Sequence, residues 1–146
     1  MATLSDKLKA KVRKRANQLC EYCHTNEIWQ YVPFTVDHIT PTSLGGKTEL
    51  ENLALACFHC NRRKSNVVKA IDPETNTEVE LFHPRKDVWS EHFIWSKDRL
   101  YIVASTAVGR ATLIKLELNR ERVIHIRAED VLIGRHPPEG DPMQDE

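Results

Sequence analysis

The sequence predicts an α+β protein, and three observations support that class. Along residues 1–72, a basic helical stretch, two short strand-like stretches and a second short helix follow one another. Two Cys-x-x-Cys pairs frame the two strand-like stretches. Residues 73–135 then show a hairpin pattern followed by two helical stretches, and residues 136–146 have the composition of a disordered acidic tail. We therefore expect a small cysteine-braced module with a C-terminal extension of one hairpin and helices.

Length and charge are consistent with this division. The 146 residues suit one domain with an extension, and 40% of them are apolar, enough for a modest core. Basic and acidic residues number 21 each, so the net charge by itself indicates no partner. The halves differ, however, because residues 1–70 hold 11 basic and 6 acidic residues while residues 71–146 hold 10 and 15. A basic N-terminal half can mark an anion-binding surface.

The distribution of apolar residues predicts a soluble protein of the cytoplasm. No apolar run approaches the roughly 18 residues that a membrane span requires. The first 15 residues carry charges where a signal peptide would be apolar. In a reducing compartment, four cysteines are metal ligands or free thiols more often than disulfides. We expect no membrane partner.

The first helix is predicted from the spacing of its apolar residues. Thr3 and Asp6 fit a capping box at its start. The apolar residues that follow, spaced by four, four and seven positions, share one helical face and are Leu4, Leu8, Val12 and Leu19. The other face is either solvated or in contact with phosphates, and the sequence alone leaves both interpretations open. Its basic residues are Lys7, Lys9, Lys11, Arg13, Lys14 and Arg15.

The next elements are two strands and a short helix. Residues 33–39 alternate polar and apolar side chains and are rich in β-branched and aromatic types, which predicts a strand. Gly45 and Gly46 mark a turn. Residues 50–56 are strand-like, and residues 61–70 read as a short helix that an Asp-Pro pair ends. This gives the order helix, strand, loop, strand, helix.

The C-terminal half predicts a hairpin and two helices. Residues 88–95 and 100–105 alternate on either side of a polar turn. Residues 111–118 and 122–133 have helical periodicity. The hairpin aromatics could stack on nucleic-acid bases, but alternation favours core packing. These aromatics are Trp89, Phe93, Trp95 and Tyr101.

The cysteine spacing predicts a structural zinc site. Cys20 and Cys23 form one Cys-x-x-Cys pair, Cys57 and Cys60 form the other, and 33 residues separate them. Each pair can present two thiolates from one tight turn, and four thiolates complete the tetrahedral shell of Zn²⁺. A filled shell has no open position for chemistry. We therefore expect this ion to hold the module together.

Short motifs inside and beside the cysteine frame resemble those of a known family. They are Asp-His-Ile at 37–39, Gly-Gly at 45–46, Glu-Asn-Leu at 51–53, Cys-x-x-Cys-Asn at 57–61 and Arg-Arg-Lys at 62–64. Together they resemble the HNH endonucleases, in the subgroup whose ββα-metal module is braced by a four-cysteine zinc site. The resemblance covers about residues 10–70. Residues 81–138 look like an extension found on some bacterial members.

The resemblance implies a role for each residue of the motif. His38 takes the position of the general base, and Asn52 that of the asparagine that fixes the loop and orients the base. Asp37 and Asn61 take the positions of the ligands of a catalytic divalent ion. Their hard oxygen atoms suit Mg²⁺ or Mn²⁺, with Ni²⁺, Co²⁺ or Zn²⁺ as further possibilities. Asn61 stands where many members have histidine, as in HNN-type variants.

The implied reaction is metal-dependent hydrolysis of DNA phosphodiesters, leaving 5′-phosphate and 3′-hydroxyl ends. DNA is the expected partner, and no small-molecule cofactor is expected. The phosphate contacts are assigned to basic residues beside the motif and on the first helix. These residues are Arg62, Arg63, Lys64, Arg13, Lys14 and Arg15.

Two other functions fit the same sequence. One is a non-catalytic, zinc-dependent DNA-binding module, against which the intact Asp-His pair and Asn61 argue. The other is a nuclease directed by RNA or by a protein partner, which nothing in the sequence opposes. The catalytic interpretation also carries a geometric condition. Neighbouring residues of a regular strand face opposite sides, so the strand must end or twist at Asp37 and His38 if both are to reach one phosphate.

Overall fold

The protein consists of two compact units in the computed structural model, which describes residues 4–145. The N-terminal unit comprises Met1–Val68 and His83–Lys86, and the C-terminal unit comprises Lys69–Phe82 and Asp87–Glu146. Within the described residues, every helix is too short or too polar to cross a bilayer.

The N-terminal unit has the order helix, strand, strand, helix. Helix α1 spans Asp6–Arg15, strands β1 and β2 span Thr35–His38 and Leu53–Ala56, and helix α2 spans Phe58–Lys64. The strands pair antiparallel, so that Asp37 lies opposite Ala54 and His38 opposite Leu53. The predicted α+β class and the helix-hairpin-helix order of the module are confirmed.

Strand β2 is the centre of the N-terminal core. Its four residues, Leu53–Ala56, are all fully buried. Val12 of α1 is also fully buried, and α1 packs against β2 as its apolar periodicity predicted. Phe34 and Ile39 flank β1 and are buried as well. The core therefore fixes both ends of the strand that carries Asp37 and His38.

Helix α2 begins and ends earlier than the sequence predicted. We expected a helix over residues 61–70, whereas α2 starts directly after Cys57, whose Sγ accepts a hydrogen bond from the Cys60 N–H. Ser65 ends the helix with φ at 51°, in the left-handed region that disfavours residues with a Cβ. The chain then continues into a strand at Lys69.

The C-terminal unit contains two hairpins and three helices among its described residues. The first hairpin pairs β3 with β4, and the second pairs β5 with β6. The second hairpin and the last two helices were predicted, but the first hairpin was not. The strand expected over residues 88–95 is limited to Phe93–Trp95, because Trp89–His92 form a short helix. The elements are β3 (Lys69–Asp72), β4 (Thr77–Glu80), α3 (Trp89–His92), β5 (Phe93–Trp95), β6 (Ile102–Ala104), α4 (Ala107–Lys115) and α5 (Glu121–Leu132).

Aromatic side chains form much of this unit's core. Phe93 and Trp95 are 1% and 0% exposed. The ring of Trp89 lies 5.2 Å from that of Phe93 and 5.9 Å from that of Trp95. Packing thus accounts for three of the four aromatics, Phe93 and Trp95 in β5 and Trp89 in α3, while Tyr101 remains 44% exposed.

The last described residues, up to residue 145, make hydrogen bonds to β5, in a segment that the sequence predicted as a disordered acidic tail over residues 136–146. The backbone of Trp95 donates a hydrogen bond to the Pro142 carbonyl and accepts one from the Gln144 N–H. The Trp95 indole N–H also donates to the Asp141 carboxylate, at 2.9 Å. The acidic composition did not indicate these contacts, because they depend on a tryptophan that is distant in the sequence and whose indole N–H needs a hydrogen-bond acceptor. Residues 136–145 belong to the C-terminal unit.

The first boundary between the units along the chain lies after Val68. The sequence predicted it after residue 72.

The unpredicted β3–β4 hairpin depends on the buried carboxylate of Asp72. Arg110 of α4 donates to both carboxylate oxygens, at 2.9 and 3.0 Å. The Thr75 hydroxyl and the Glu74 N–H, both in the turn, donate to the same group. The Arg110 hydrogen bonds hold the pKa of Asp72 well below its usual range. This carboxylate therefore fastens the hairpin turn to α4.

Asp72→Asn should make the C-terminal unit less sensitive to acid. A depressed pKa in the folded state stabilises the protein above the unfolded pKa of 3.8, and that contribution is lost as the pH falls below it. The parental melting temperature should therefore drop between pH 5 and pH 2, and the variant should start lower but fall less. Glu74→Gln, at an exposed partner of Arg110, is the matched control and should follow the parental curve. Parallel curves for Asp72→Asn and the parental protein would contradict this role.

Candidate active site and metal centre

The four cysteines form a compact, buried cluster. Cys20 and Cys23 lie in the turn after α1, and Cys57 and Cys60 lie at the start of α2. Their Sγ atoms all lie within 4.8 Å of one another, and the Sγ atoms of Cys23 and Cys57 are 3.8 Å apart. The turn that carries the first pair is closed by the His24 N–H, which donates to the Cys20 carbonyl.

The cluster fits a tetrahedral zinc ion. Zn–S bonds of about 2.3 Å hold sulfur atoms about 3.8 Å apart, which is the spacing of the Cys23 and Cys57 Sγ atoms. Burial raises the pKa of the Cys20 thiol well above its ordinary value, whereas hydrogen bonds from Cys20 and the other thiols lower that of Cys23. Thiolates brought this close together in a buried cluster repel one another and lose their hydration, so binding through all four requires a cation among them. With four protein ligands, a zinc ion bound here would have no open coordination position, which is typical of a structural site.

A cleft of about 390 Å³ opens beside this cluster, between the end of β1 and helix α2. Asp37, His38 and Asn61, which the sequence assigned to one reaction, all line it. The Nε2 atom of His38 lies 2.9 Å from the Thr48 hydroxyl. The other lining residues are Val36, Pro41, Thr42, Arg62, Ser65 and Asn66.

Asp37 is held by two buried partners. Its Oδ2 atom lies 3.2 Å from the Lys64 ammonium and accepts a hydrogen bond from the Tyr22 hydroxyl at 3.1 Å. Among the described residues, Oδ1 has no such partner. Burial raises the pKa of Asp37, and the neighbouring Lys64 ammonium opposes that rise. A buried carboxylate with its charge balanced therefore faces the cleft.

The Lys64 ammonium also fixes the end of β1. It donates to the carbonyls of His38 and Ile39, at 3.3 and 2.9 Å. Successive carbonyls of a regular strand point in opposite directions, so their convergence on one ammonium marks the end of strand geometry. Strand β1 indeed ends at His38. This satisfies the geometric condition under which Asp37 and His38 can line the same cleft.

Asn52 lies behind the cleft and clamps the loop after β1. Its Oδ1 accepts the Thr40 N–H, and its Nδ2 donates to the carbonyls of Thr40 and Lys47, all at 2.9 Å. Gly46 packs against the same loop, and a Cβ at this position would lie only 1.8 Å from the Thr40 carbonyl oxygen. The Gly-Gly turn and Asn52 therefore act together to hold the loop that contains Thr48.

The comparison with known protein families agrees with this geometry. The segment that contains both the cysteine cluster and the cleft matches a family model. Residues 20–67 match the HNH endonuclease family. No curated protein and no solved structure matched the chain. The match confirms the resemblance seen in the sequence motifs, and with the four-cysteine cluster it assigns a zinc-braced HNH module to the N-terminal unit.

The basic residues assigned to DNA contact occupy different environments in the HNH module. Arg62 and Arg63 are exposed on α2, and Lys14 is exposed on α1. Lys64 is 1% exposed, so its assignment to phosphate contact is wrong. It occupies the inward face of α2, because the two arginines before it take the outward positions of the same turn.

The two arginines of α1 are engaged in contacts within the HNH module. Arg13 pairs with Glu27 at 3.1 Å and donates to the Phe34 carbonyl at 2.8 Å. Arg15 donates to the carbonyls of Leu50 and Leu53, at 2.8 and 2.6 Å. The geometry thus gives both side chains a structural role that the charge pattern of the sequence did not reveal.

Sequence reasoning also missed three residues around the cleft. Tyr22 and Thr48 contact Asp37 and His38 directly, yet neither belongs to a quoted motif. Tyr22 sits inside the first Cys-x-x-Cys pair, so its position beside a buried cluster was a usable signal. Ser65 lines the cleft with a positive φ, and no sequence pattern marked it.

Removing one zinc ligand should unfold the HNH module. The purified protein should contain about one Zn²⁺, and Cys57→Ser should lose it, since a structural zinc site contributes its binding free energy to folding. We expect the melting temperature to fall by at least roughly 10 °C, measured by circular dichroism with elemental analysis on the same samples. A zinc-free parental protein, or a variant with parental stability, would contradict the structural site.

Removing the Lys64 ammonium should destabilise the HNH module more than removing its exposed neighbours. Lys64→Met leaves the Asp37 carboxylate buried without its counter-ion, which costs about 3–5 kcal/mol. Lys64→Met combined with Asp37→Asn should recover part of that loss, because the double variant buries no charge. Arg63→Met is the control and should change the free energy of unfolding by less than about 0.5 kcal/mol. Urea denaturation of the four proteins measures these differences, and equal effects of Lys64→Met and Arg63→Met would contradict the assigned contact.

Proposed function

We propose that this protein is a metal-dependent endonuclease that hydrolyses DNA phosphodiester bonds in the cleft beside its zinc cluster. The observation that carries the proposal is that Asp37, His38 and Asn61 line one cleft within a segment that matches the HNH endonuclease family. Such a reaction needs a base for water, a ligand set for a cation and a basic rim for phosphate. The cleft offers a candidate for each.

Asp37 and Asn61 suit the binding of a divalent metal ion. The Asp37 carboxylate and the Asn61 side chain both line the cleft. Two oxygen ligands suit Mg²⁺ or Mn²⁺, which keep several waters in their shell. The bound ion would stabilise negative charge on the phosphate and on the leaving 3′-oxygen.

His38 is the proposed general base, and Thr48 is its positioning partner. When His38 Nε2–H donates to the Thr48 hydroxyl, the lone pair of the neutral imidazole lies on Nδ1. Nδ1 would take a proton from a water molecule as the oxygen of that water bonds to phosphorus. The bond between phosphorus and the 3′-oxygen breaks in the same step. A second water protonates the leaving 3′-oxygen. Asn52 supports this arrangement by clamping the loop that contains Thr48.

A second function is favoured by one contact of the cleft. The charge of Asp37 is already balanced by Lys64, at 3.2 Å, which lowers its attraction for a divalent cation. A non-catalytic, zinc-dependent DNA-binding module would need no such ion.

Incubation of supercoiled plasmid with the purified protein and Mg²⁺ or Mn²⁺ distinguishes the two functions. Only a nuclease converts the plasmid to nicked or linear forms, and EDTA should abolish this conversion.

His38→Ala should abolish cleavage and leave DNA binding intact. General-base catalysis contributes about 10²–10⁴-fold to rate and little to ground-state binding. Plasmid nicking measures the rate, and fluorescence anisotropy with labelled DNA measures binding. His125→Ala, at an exposed histidine of α5, is the matched control and should cut at the parental rate. An alanine variant at position 38 that also cut at that rate would remove His38 from the reaction.

Asn61→Ala should raise the metal concentration needed for cleavage. Removing a neutral oxygen ligand weakens binding of the ion, whereas the reaction at saturating metal should be less affected. Asn61→His should keep some activity and shift the preference toward Ni²⁺, Co²⁺ or Zn²⁺, because imidazole suits those ions better than Mg²⁺. Metal titrations of the nicking rate test both variants. A titration of Asn61→Ala that overlays the parental curve would show that Asn61 does not contact the ion.

A further inference from the structure

A loop in the N-terminal unit is closed at its base by ion pairs and hydrogen bonds. The Glu27 carboxylate accepts the Phe34 N–H at 2.7 Å, and Arg13 donates to both Glu27 and the Phe34 carbonyl. Residues 28–33, which we term the 28–33 loop, therefore leave and rejoin the module at one fixed point. Its first half is a single 3₁₀ turn, capped by Asn26, whose side chain accepts the Ile28 N–H.

The 28–33 loop exposes large apolar and aromatic side chains. Tyr31 is 100% exposed, Trp29 45%, Ile28 55% and Val32 52%. No charged residue interrupts the sequence Ile-Trp-Gln-Tyr-Val-Pro. Single exposed apolar residues are common on protein surfaces, whereas several adjacent ones on a fixed loop are typical of a contact surface.

Charge on the neighbouring helix indicates what this surface contacts. Lys7, Lys11 and Lys14 of α1 are exposed and recur at intervals of four and three residues, so they share one helical face. The same helix provides Arg13, which closes the loop. Exposed aromatic side chains on a unit whose exposed charged residues are mostly basic suit a polyanion whose units have flat faces, which describes single-stranded nucleic acid. An apolar protein partner would make no use of the lysines.

The distance along β1 relates the loop to the cleft. Phe34 ends the loop and His38 ends β1, four residues later, so their Cα atoms lie about 13 Å apart at a rise of roughly 3.3 Å per residue. That distance corresponds to about four nucleotides at the duplex rise of roughly 3.4 Å, and to fewer in an extended single strand. A DNA strand with one phosphate in the cleft could therefore bring a nearby base to Trp29 or Tyr31.

We propose that the 28–33 loop is a stacking surface for unpaired bases of the DNA substrate, next to the phosphate that is cut. Bases in a duplex stack on one another and present no free face, so the loop would favour DNA with a single-stranded or distorted segment. This proposal rests on the proposed function for the identity of the substrate. It adds a preference for substrate structure that the cleft alone does not provide.

Binding without cleavage tests the loop by itself. A fluorescein-labelled 20-nucleotide oligothymidine and a duplex of the same length are titrated with the full-length protein, without added divalent metal, and followed by anisotropy. Trp29→Ala and Tyr31→Ala should each weaken single-strand binding about tenfold and change duplex binding less than about threefold. Tyr101→Ala, at a half-exposed tyrosine of the C-terminal unit, should bind both DNAs like the parental protein.

Tryptophan fluorescence provides a second readout. Trp89 and Trp95 are buried, so quenching of the emission by unlabelled oligothymidine would come from Trp29. Trp29→Phe should keep most of the affinity, since phenylalanine can stack, but lose the quenching. Alanine variants with parental single-strand affinity would overturn the proposal. It would also fail if the variants lost only self-association in sedimentation, because the loop would then join copies of the chain.

The two proposals can fail separately. If the parental protein binds oligothymidine through Trp29 and Tyr31 but does not nick plasmid with Mg²⁺ or Mn²⁺, the nuclease assignment fails and the stacking surface stands. If the parental protein nicks plasmid and the alanine variants bind and cut single-stranded DNA at parental levels, the nuclease stands and the stacking surface is wrong.

Discussion

The arrangement of the HNH module depends on one buried ammonium group. Lys64 reaches from the last turn of α2 to the end of β1, where it contacts the Asp37 carboxylate and the carbonyls of His38 and Ile39. A buried ammonium is costly unless acceptors surround it, so these three contacts constrain the helix and strand to one relative position. The width of the cleft and the orientation of its carboxylate follow from that constraint.

The cysteine cluster stabilises the opposite end of helix α2. Cys57 and Cys60 hold the first turn of α2, while Lys64 holds its last. A helix of seven residues has little stability of its own, because its few hydrogen bonds do not offset the conformational entropy lost when the first turn forms. The cysteine cluster at one end and the ion pair at the other therefore keep Asn61, between them, in place beside β1.

The two kinds of charged residue on the module serve different purposes. Arg13, Arg15 and Lys64 donate to carboxylates or carbonyls of the fold and so hold its loops together. Exposed cations keep their charges in solvent, where they can attract a polyanion, and include Arg62 of α2 and Lys7, Lys11 and Lys14 of α1. The Arg62 guanidinium lies over the exposed ring of Phe58, 6.0 Å from its centroid, on the same helix.

Local sequence rules determined much of this protein. The spacing of the four cysteines predicted the buried cluster, because ligand spacing is fixed by turns and needs no knowledge of the rest of the chain. Alternation predicted β1 and the second hairpin, and the motif around Asp37 and His38 predicted which residues meet in the cleft. The roles of these residues in catalysis stay predictions.

Only the tertiary structure decided which side chains of equal chemistry face inward. Lys64 is buried beside two exposed arginines, and Trp95 is buried while Trp29 is half exposed, although charge and aromatic character look alike in the sequence. The β3–β4 hairpin and the ordered last residues likewise depend on distant partners, Arg110 and the Trp95 indole. The physical reason is that burial and pairing are set by contacts between residues far apart in the chain, which a local pattern does not contain.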